Sequence, residues 1–194
     1  MRNRIYAKIL TRKGAKVKGI DISEEMIKIA RQENPEIEFK IGSADNLPYK
    51  NKEFDVVLSA LAVEYFPNWD KLFKEVNRVL KDNGLFVFST GNPVINAVEK
   101  EIFHGRKFRE VKNYFREGLR QSRWHNLGKK GELIYTKWYH RTYGSIVRLI
   151  IKNGFELIDY EDAYPLKKAE KLFPKDYKIF SNMPYFCTWK ARKK

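Results

Sequence analysis

The stretch FDVVLSA, residues 54–60, restricts this chain more than any other. It is apolar or small at nearly every position and shows no alternation. It therefore reads as a strand buried on both faces, the pattern of a parallel sheet covered by helices. Its surroundings agree. Residues 17–22, 37–41 and 85–89 form further short strands, and helices fall between them. Ser23 caps one helix, with Glu24 and Glu25 in the first turn, where the helix dipole favours carboxylates. Met26, Ile27, Ile29 and Ala30 give that helix an inner face, and Asn34-Pro35 stops it. Pro67 and Asn68 open a second helix, which carries Leu72, Phe73, Val76, Val79 and Leu80 inward until Asp82-Asn83-Gly84. A short helix over residues 4–12, stopped by Gly14, precedes them all. Such alternation predicts an α/β fold with a doubly wound, mostly parallel sheet.

The second half is patterned differently. Residues 93–141 are less regular, rich in Arg and Lys, and dotted with aromatics. Beyond them Thr142 caps a helix with Ile146, Val147, Leu149 and Ile150 inside, ended by Asn153-Gly154. Two closing strands follow, over residues 155–160 and 185–191, separated by a loop carrying Pro165, Pro174 and Pro184. At 194 residues and 43% hydrophobic, the chain suffices for one well-buried domain and is short for two. No apolar run reaches the ~18 residues that would span a membrane. The first twenty residues are basic and acid-free, yet they read as a helix feeding a strand rather than as a transit peptide. Cys187 stands alone, which excludes an intrachain disulfide and suits a reducing, cytoplasmic setting. Within the alternating YFCTWKA it reads as a buried thiol rather than a nucleophile.

Charge is concentrated. Of 39 Lys and Arg against 24 Asp and Glu, residues 1–99 hold 16 against 14 and the remainder 23 against 10. A second half this basic suits either an anionic partner such as RNA or an acidic small molecule, or a simply solvated surface.

Three positions carry candidate chemistry. Asp21 ends a parallel strand, where a carboxylate can accept both hydroxyls of a ribose, in the crevice where such sheets bind ligands. In GSADNLP, Ala44, Asp45 and Asn46 offer a carboxylate and backbone amides to an adenine ring, although an Asp-Asn pair also simply forms turns. Ser59, at the end of FDVVLS, faces the same crevice or is a plain strand-end serine.

Together with NRVLKDNGLFVFSTGNP, these segments resemble the class I S-adenosylmethionine-dependent methyltransferases, most closely the small-molecule type known as a methyltransferase domain. VKGIDISEEM, GSADNLPYKNKEFDVVLS and LFKEVNRVLKDNGLFVFS stand in the family's order and spacing, and YHRTYGSIVRLIIKNGFEL and MPYFCTWKARK resemble its last helix and closing strands. The resemblance implies a Rossmann-like sheet ordered 3-2-1-4-5-7-6 with an antiparallel last strand. It implies S-adenosylmethionine as cofactor, with Asp21 at the ribose, Ala44, Asp45 and Asn46 at the adenine and Ser59 beneath the sulfonium. Transfer in this family is an in-line displacement, so alignment supplies much of the rate and no dedicated triad is needed. The family often has His at the position of Glu64, so this departure leaves open whether any base stands there.

One part of the pattern is not met. The ribose acid of such units lies about 20 residues after a glycine-rich loop, and that distance before Asp21 reaches Met1. Gly14 ends a helix and Gly19 sits inside a strand, so neither replaces the loop. The expectation is a family fold whose central first strand is missing, its neighbours standing about 9.6 Å apart at two strand spacings. Either those neighbours close directly, another segment or chain fills the slot, or the sequence starts downstream of the true start. Residues 93–141 are expected to form a basic, aromatic lid over the methyl site, with Trp124, Trp138, His140 and Tyr65 as candidate substrate contacts. The reading is methyl transfer to a small-molecule acceptor. A non-catalytic, methyltransferase-like binding protein and an RNA methyltransferase using the basic segment are the alternatives. Oligomeric state is open.

Overall fold

The computed structural model describes residues 3–103, 106–124 and 134–194. Helix α1 (Asn3–Arg12) leads into β1 (Lys18–Asp21), α2 (Glu24–Glu33), β2 (Glu38–Ile41) and β3 (Phe54–Ala60). A 3-10 turn (Val63–Tyr65), α3 (Trp69–Val79) and β4 (Leu80–Gly91) follow. Two hairpins come next, β5 (Val98–Phe103) with β6 (Arg106–Val111) and β7 (Gly118–Trp124) with β8 (Ile134–His140). Helix α4 (Tyr143–Lys152), β9 (Phe155–Asp162), the short helices α5 (Lys168–Leu172) and α6 (Pro174–Phe180), and β10 (Phe186–Lys193) complete the order.

Strands β1 and β2 form a parallel pair. A four-stranded sheet runs β3-β4-β10-β9, with β3 and β4 parallel and β10 antiparallel to both of its neighbours. This is the expected mostly parallel, Rossmann-like order with its antiparallel last strand. Among the described residues β1 and β3 do not pair with each other, so direct closure of the slot is not what the fold does. The two sheets are joined by side chains instead. The Tyr49 hydroxyl donates to the Gly19 carbonyl at 3.2 Å, Lys18 meets Glu53 at 2.8 Å, and Ile20 packs against the larger core.

The helices form where their caps and apolar spacing demand. Ser23 Oγ accepts from the Met26 amide, Asn68 Oδ1 from that of Lys71, and Thr142 Oγ1 from that of Ser145, each satisfying an amide the first turn leaves unpaired. On α3, Trp69, Leu72, Phe73, Val76 and Val79 fall on one stripe and are all buried. They meet Phe86, Phe88 and Trp189 from the sheet, and Ile146, Ile150 and Phe155 from α4 and its following strand. The carboxyl end of α3 is closed by an unusual group: the buried Lys193 ammonium donates to the Asn77 and Leu80 carbonyls at 2.7 and 2.9 Å. A smaller core joins Ala7, Ile27, Ala30, Ile37 and Phe39. Gly19 is fixed by that core, because a Cβ there would stand 2.4 Å from the Phe39 ring.

Four sequence expectations are corrected. Phe54–Ala60 is not buried on both faces: Val57 joins the core, but Val56 and Leu58 are 51% and 40% exposed. The cause is that β3 has a single ladder neighbour, β4, among the described residues, and only its Phe54 and Val57 side chains join the core. Strand β4 starts at Leu80 rather than residue 85, and the Asp82-Asn83-Gly84 turn is absorbed as a register shift against β3, with Asn83 at φ +63°. Within residues 93–141 the described residues include two antiparallel ribbons, β5–β6 and β7–β8, where irregular chain was expected. Their period-two pattern, as in YTKWYH, is hidden because charged and aromatic residues occupy both faces. The proline-bearing loop holds α5 and α6, with Pro174 at the first turn of α6, where its missing N–H costs nothing.

Asp70 ties α3 to α4, accepting from Lys74 at 2.7 Å, Lys152 at 3.0 Å and Asn153 at 3.1 Å. These bonds, Lys74 first, hold its carboxyl well below the usual carboxylate range. A depressed folded-state pKa contributes stability above the unfolded value and loses it as pH falls toward the folded one. Thermal melts by circular dichroism should therefore show Tm declining as pH drops below about 4. Asp70→Asn should be less stable at pH 7 and show a shallower acid decline; parallel curves would refute the assignment.

Candidate cofactor and acceptor site

Two of the residues singled out in the sequence stand at strand ends: Asp21 closes β1, which is parallel to β2, and Ser59 lies near the end of β3, which is parallel to β4. Asp21 ends β1 half-buried, and its Oδ1 accepts from the Ser23 amide at 3.0 Å. That bond fixes the carboxylate, while Oδ2 takes no hydrogen bond among the described residues. The next side chain, Ile22, is 75% exposed. An isoleucine left bare beside an oriented carboxylate was not singled out from the sequence. The sequence pattern carried the strand through Ile22, whereas it ends at Asp21 and Ser23 is the cap, so Ile22 belongs to neither the sheet nor the helix.

Residues Ser43 and Asn46 form an isolated bridge, and the Asn46 amide donates to the Ser43 carbonyl at 3.1 Å. Asp45 serves this turn directly, because Oδ1 accepts from the Ser43 hydroxyl and Oδ2 meets Lys71 at 3.3 Å. The Ser43 bond, with Lys71 behind it, holds the Asp45 carboxyl below its ordinary range. Ala44 packs against the main core. The turn is strapped to α3: Glu75 accepts from the Leu47 amide at 2.8 Å, and the Arg78 guanidinium donates to the Leu47 and Tyr49 carbonyls.

Ser59 lies half-buried near the end of β3, paired in register with Phe88. Two residues on, Leu61 adopts φ +51°, a left-handed conformation that costs a non-glycine residue about 1–2 kcal/mol. Its amide donates to both the carbonyl and the hydroxyl of Ser89 at 3.1 Å, which holds the turn in place. Backbone strain held by neighbouring bonds is characteristic of binding crevices. The chain then enters the 3-10 turn, where Glu64 Oε2 accepts from the Gly91 amide at 2.7 Å across the mouth of β4. Burial pushes the Glu64 carboxyl up, and the Gly91 bond opposes that only in part.

Strand β8 packs against this same turn. Tyr65 is 52% exposed, and Trp138 is half-buried with its indole N–H enclosed and unbonded. His140 is fully buried, its Nε2 2.7 Å from the Tyr114 carbonyl and its ring against that of Tyr114. Burial lowers its pKa, so the ring is neutral at pH 7, and a carbonyl partner assigns the proton to Nε2. His140 thus fastens the ribbon to the 113–117 segment. Trp124 closes β7, and its side chain lies outside the described residues. Beside the ribbons is a recess of about 680 Å³ lined by Val94, Val111, Asn113, Tyr114, Phe115 and Arg116. Among the described residues no cluster of His, Cys, Asp and Glu is fit to hold a metal, and no helix is long and apolar enough to cross a membrane.

Residues 3–88 match the family described as "Methyltransferase domain". An S-adenosylmethionine-dependent methyltransferase from Mesorhizobium loti has a similar structure, with a TM-score of 0.79 and 28% identity over 97% of this chain and 85% of that one. A putative enzyme of the same kind from Listeria monocytogenes has a TM-score of 0.77 and 28% identity over 92% of this chain and 80% of that one. The uncharacterized protein MJ1252 of Methanocaldococcus jannaschii is 34% identical over 72% of this chain and 54% of its own length. A demethylmenaquinone methyltransferase from Chlorobaculum tepidum is 39% identical over 46% of this chain and 37% of its own. The chain spans about half the length or less of these curated relatives.

Proposed function

Because this chain belongs to the class I S-adenosylmethionine-dependent methyltransferases, we propose that it transfers a methyl group from S-adenosylmethionine to a small-molecule acceptor. The observation that carries the reading is Asp21: a carboxylate oriented by the Ser23 amide, with its other oxygen unbonded among the described residues and Ile22 bare beside it. Such a pair fits a ribose and an adenine edge, since the carboxylate accepts hydroxyl protons and the isoleucine offers apolar surface to a flat ring. S-adenosylmethionine supplies, when bound, a methyl group already activated on a sulfonium sulfur.

The remaining roles belong to the chain. Asp45 keeps the Ser43–Asn46 turn closed, so Ala44 and the Asn46 side chain line the adenine end. Ser59 and the strained Leu61 turn form the floor under the reacting methyl. The described ribbon residues within 93–141 cover the acceptor, with Tyr65 and Trp138 at its rim. Excluding water here strengthens every electrostatic contact the site makes, and fixing the acceptor in line replaces a bimolecular encounter. A small-molecule acceptor is supported by the demethylmenaquinone methyltransferase relative.

Isothermal titration with S-adenosylhomocysteine tests the reading. Saturable micromolar binding at a one-to-one ratio is expected. No heat at millimolar ligand would overturn it in favour of a non-catalytic binding protein.

A further inference from the structure

Residues 164–180 form a surface that the core does not use. The segment leaves the end of β9 and returns at β10 through the short helices α5 and α6, neither of which has a buried residue. Tyr164, Leu166, Leu172 and Phe173 are each between 61% and 67% exposed. A single bare apolar side chain is ordinary on a protein surface, but four large ones within so short a stretch mark a place where something docks. Lys167, Lys168, Lys171, Lys175 and Lys178 stand among them, all exposed, against Glu170 and Asp176 as the acids of the segment.

This mixture selects its partner. Leucines cannot stack on nucleobases, and lysine is depleted where protein interfaces are most buried. A lipid surface accepts both: aliphatic and aromatic side chains enter the acyl boundary, while lysines lay their stems along it and keep their ammonium groups at anionic headgroups. A tyrosine beside them suits the headgroup level. The segment is also held at a defined end of the sheet. Asp162 and Thr90 both face Cys187 in register, so β9 and β4 finish on the two sides of β10. The Ala163 amide donates to the Phe186 carbonyl at 2.9 Å, and the Asn92 amide donates to that of Tyr185 at 3.0 Å. We propose that residues 164–180 dock this protein peripherally on an anionic lipid bilayer, with Leu166, Leu172 and Phe173 in the acyl boundary and the five lysines at the headgroups. Such docking needs no membrane-crossing helix, and it stands independently of the methyl-transfer reading.

Co-sedimentation with vesicles tests it. Vesicles of equal parts phosphatidylglycerol and phosphatidylcholine should carry the protein down, and phosphatidylcholine alone should bind it about tenfold more weakly or less. The whole chain carries a net charge of +15, which by itself attracts anionic surfaces, so the deciding variant leaves charge untouched. Leu172→Ser combined with Phe173→Ser changes two exposed side chains and should melt with the wild type, yet its affinity for the anionic vesicles should fall by about tenfold or more. Lys167→Gln, Lys168→Gln and Lys171→Gln together should weaken binding by about tenfold or more and lessen its dependence on salt. Equal sedimentation of the serine variant and the wild type would reduce the attraction to net charge and overturn the proposal. No sedimentation of the wild type would overturn it too, and binding of a single-stranded RNA that only the lysine variant loses would give the segment to nucleic acid instead.

Discussion

Truncating Phe73 to alanine is expected to destabilise the protein by about 3–5 kcal/mol, the cost of deleting a buried ring and leaving a cavity. The side chain has no exposed surface. It lies edge-on to Phe86, Phe88 and Phe155, with ring centroids 5.3, 5.4 and 6.3 Å away, and is stacked on Trp69 at 6.3 Å. Each such pair contributes roughly 0.5–1.5 kcal/mol beyond the area it buries. Phe73 is the point where α3, β4 and β9 meet, so the void cannot be filled by one neighbour turning. A domain of this size loses about 2–4 °C of Tm per kcal/mol, so a fall on the order of 10 °C is the expected readout. A urea midpoint equivalent to less than about 1.5 kcal/mol would mean that the core repacks freely.

Asp21→Ala should weaken S-adenosylhomocysteine binding by about 2–3 kcal/mol, on the order of 30- to 150-fold in Kd. Two costs combine. The charged acceptor for the ribose hydroxyls is lost, and the Ser23 amide loses the oxygen that orients the turn. Asp21→Asn separates them, because an amide oxygen still accepts from Ser23 while the charge is gone, and its affinity should fall between the two. Ser23 also caps α2 through its own hydroxyl, a bond neither variant touches, so both should melt close to the wild type. Unchanged affinity in Asp21→Ala would remove this residue from the site.

What the sequence disclosed depended on how locally each feature is encoded. The caps at Ser23, Asn68 and Thr142 were readable because a cap is a contact between residues three apart. The stripe on α3 was readable because helical burial follows a fixed period. The burial of Phe54–Ala60 was overstated, since composition reports that a strand can be covered and not whether anything covers it. The ribbons within 93–141 escaped because charged and aromatic residues alternate without a clean apolar face. At the site, Asp21 was legible as a strand-end acid, but the reach of Glu64 to Gly91 was not. That bond joins residues 27 apart, and only the parallel pairing of β3 with β4 brings them together. The same holds for Lys193, whose role at the end of α3 depends on a contact 116 residues back along the chain.

The position of β10 between β4 and β9 bears on how the protein reaches its structure. Neither neighbour pairs with the other, so the sheet has no continuous middle until residues 186–193 have entered it. Cys187 comes to rest opposite Thr90, which closes a loop of nearly a hundred residues, and Lys193 must arrive before the end of α3 is satisfied. Pairings so distant in sequence incur their loop entropy before returning any stability, and chains rich in them fold slowly. Any intermediate that forms first from β3, α3 and β4 therefore waits with one β4 edge open and the Asn77 and Leu80 carbonyls without Lys193. The last strand is in kinetic terms a keystone, and the rate at which it inserts sets the pace for assembling the crevice that Gly91 and Glu64 close.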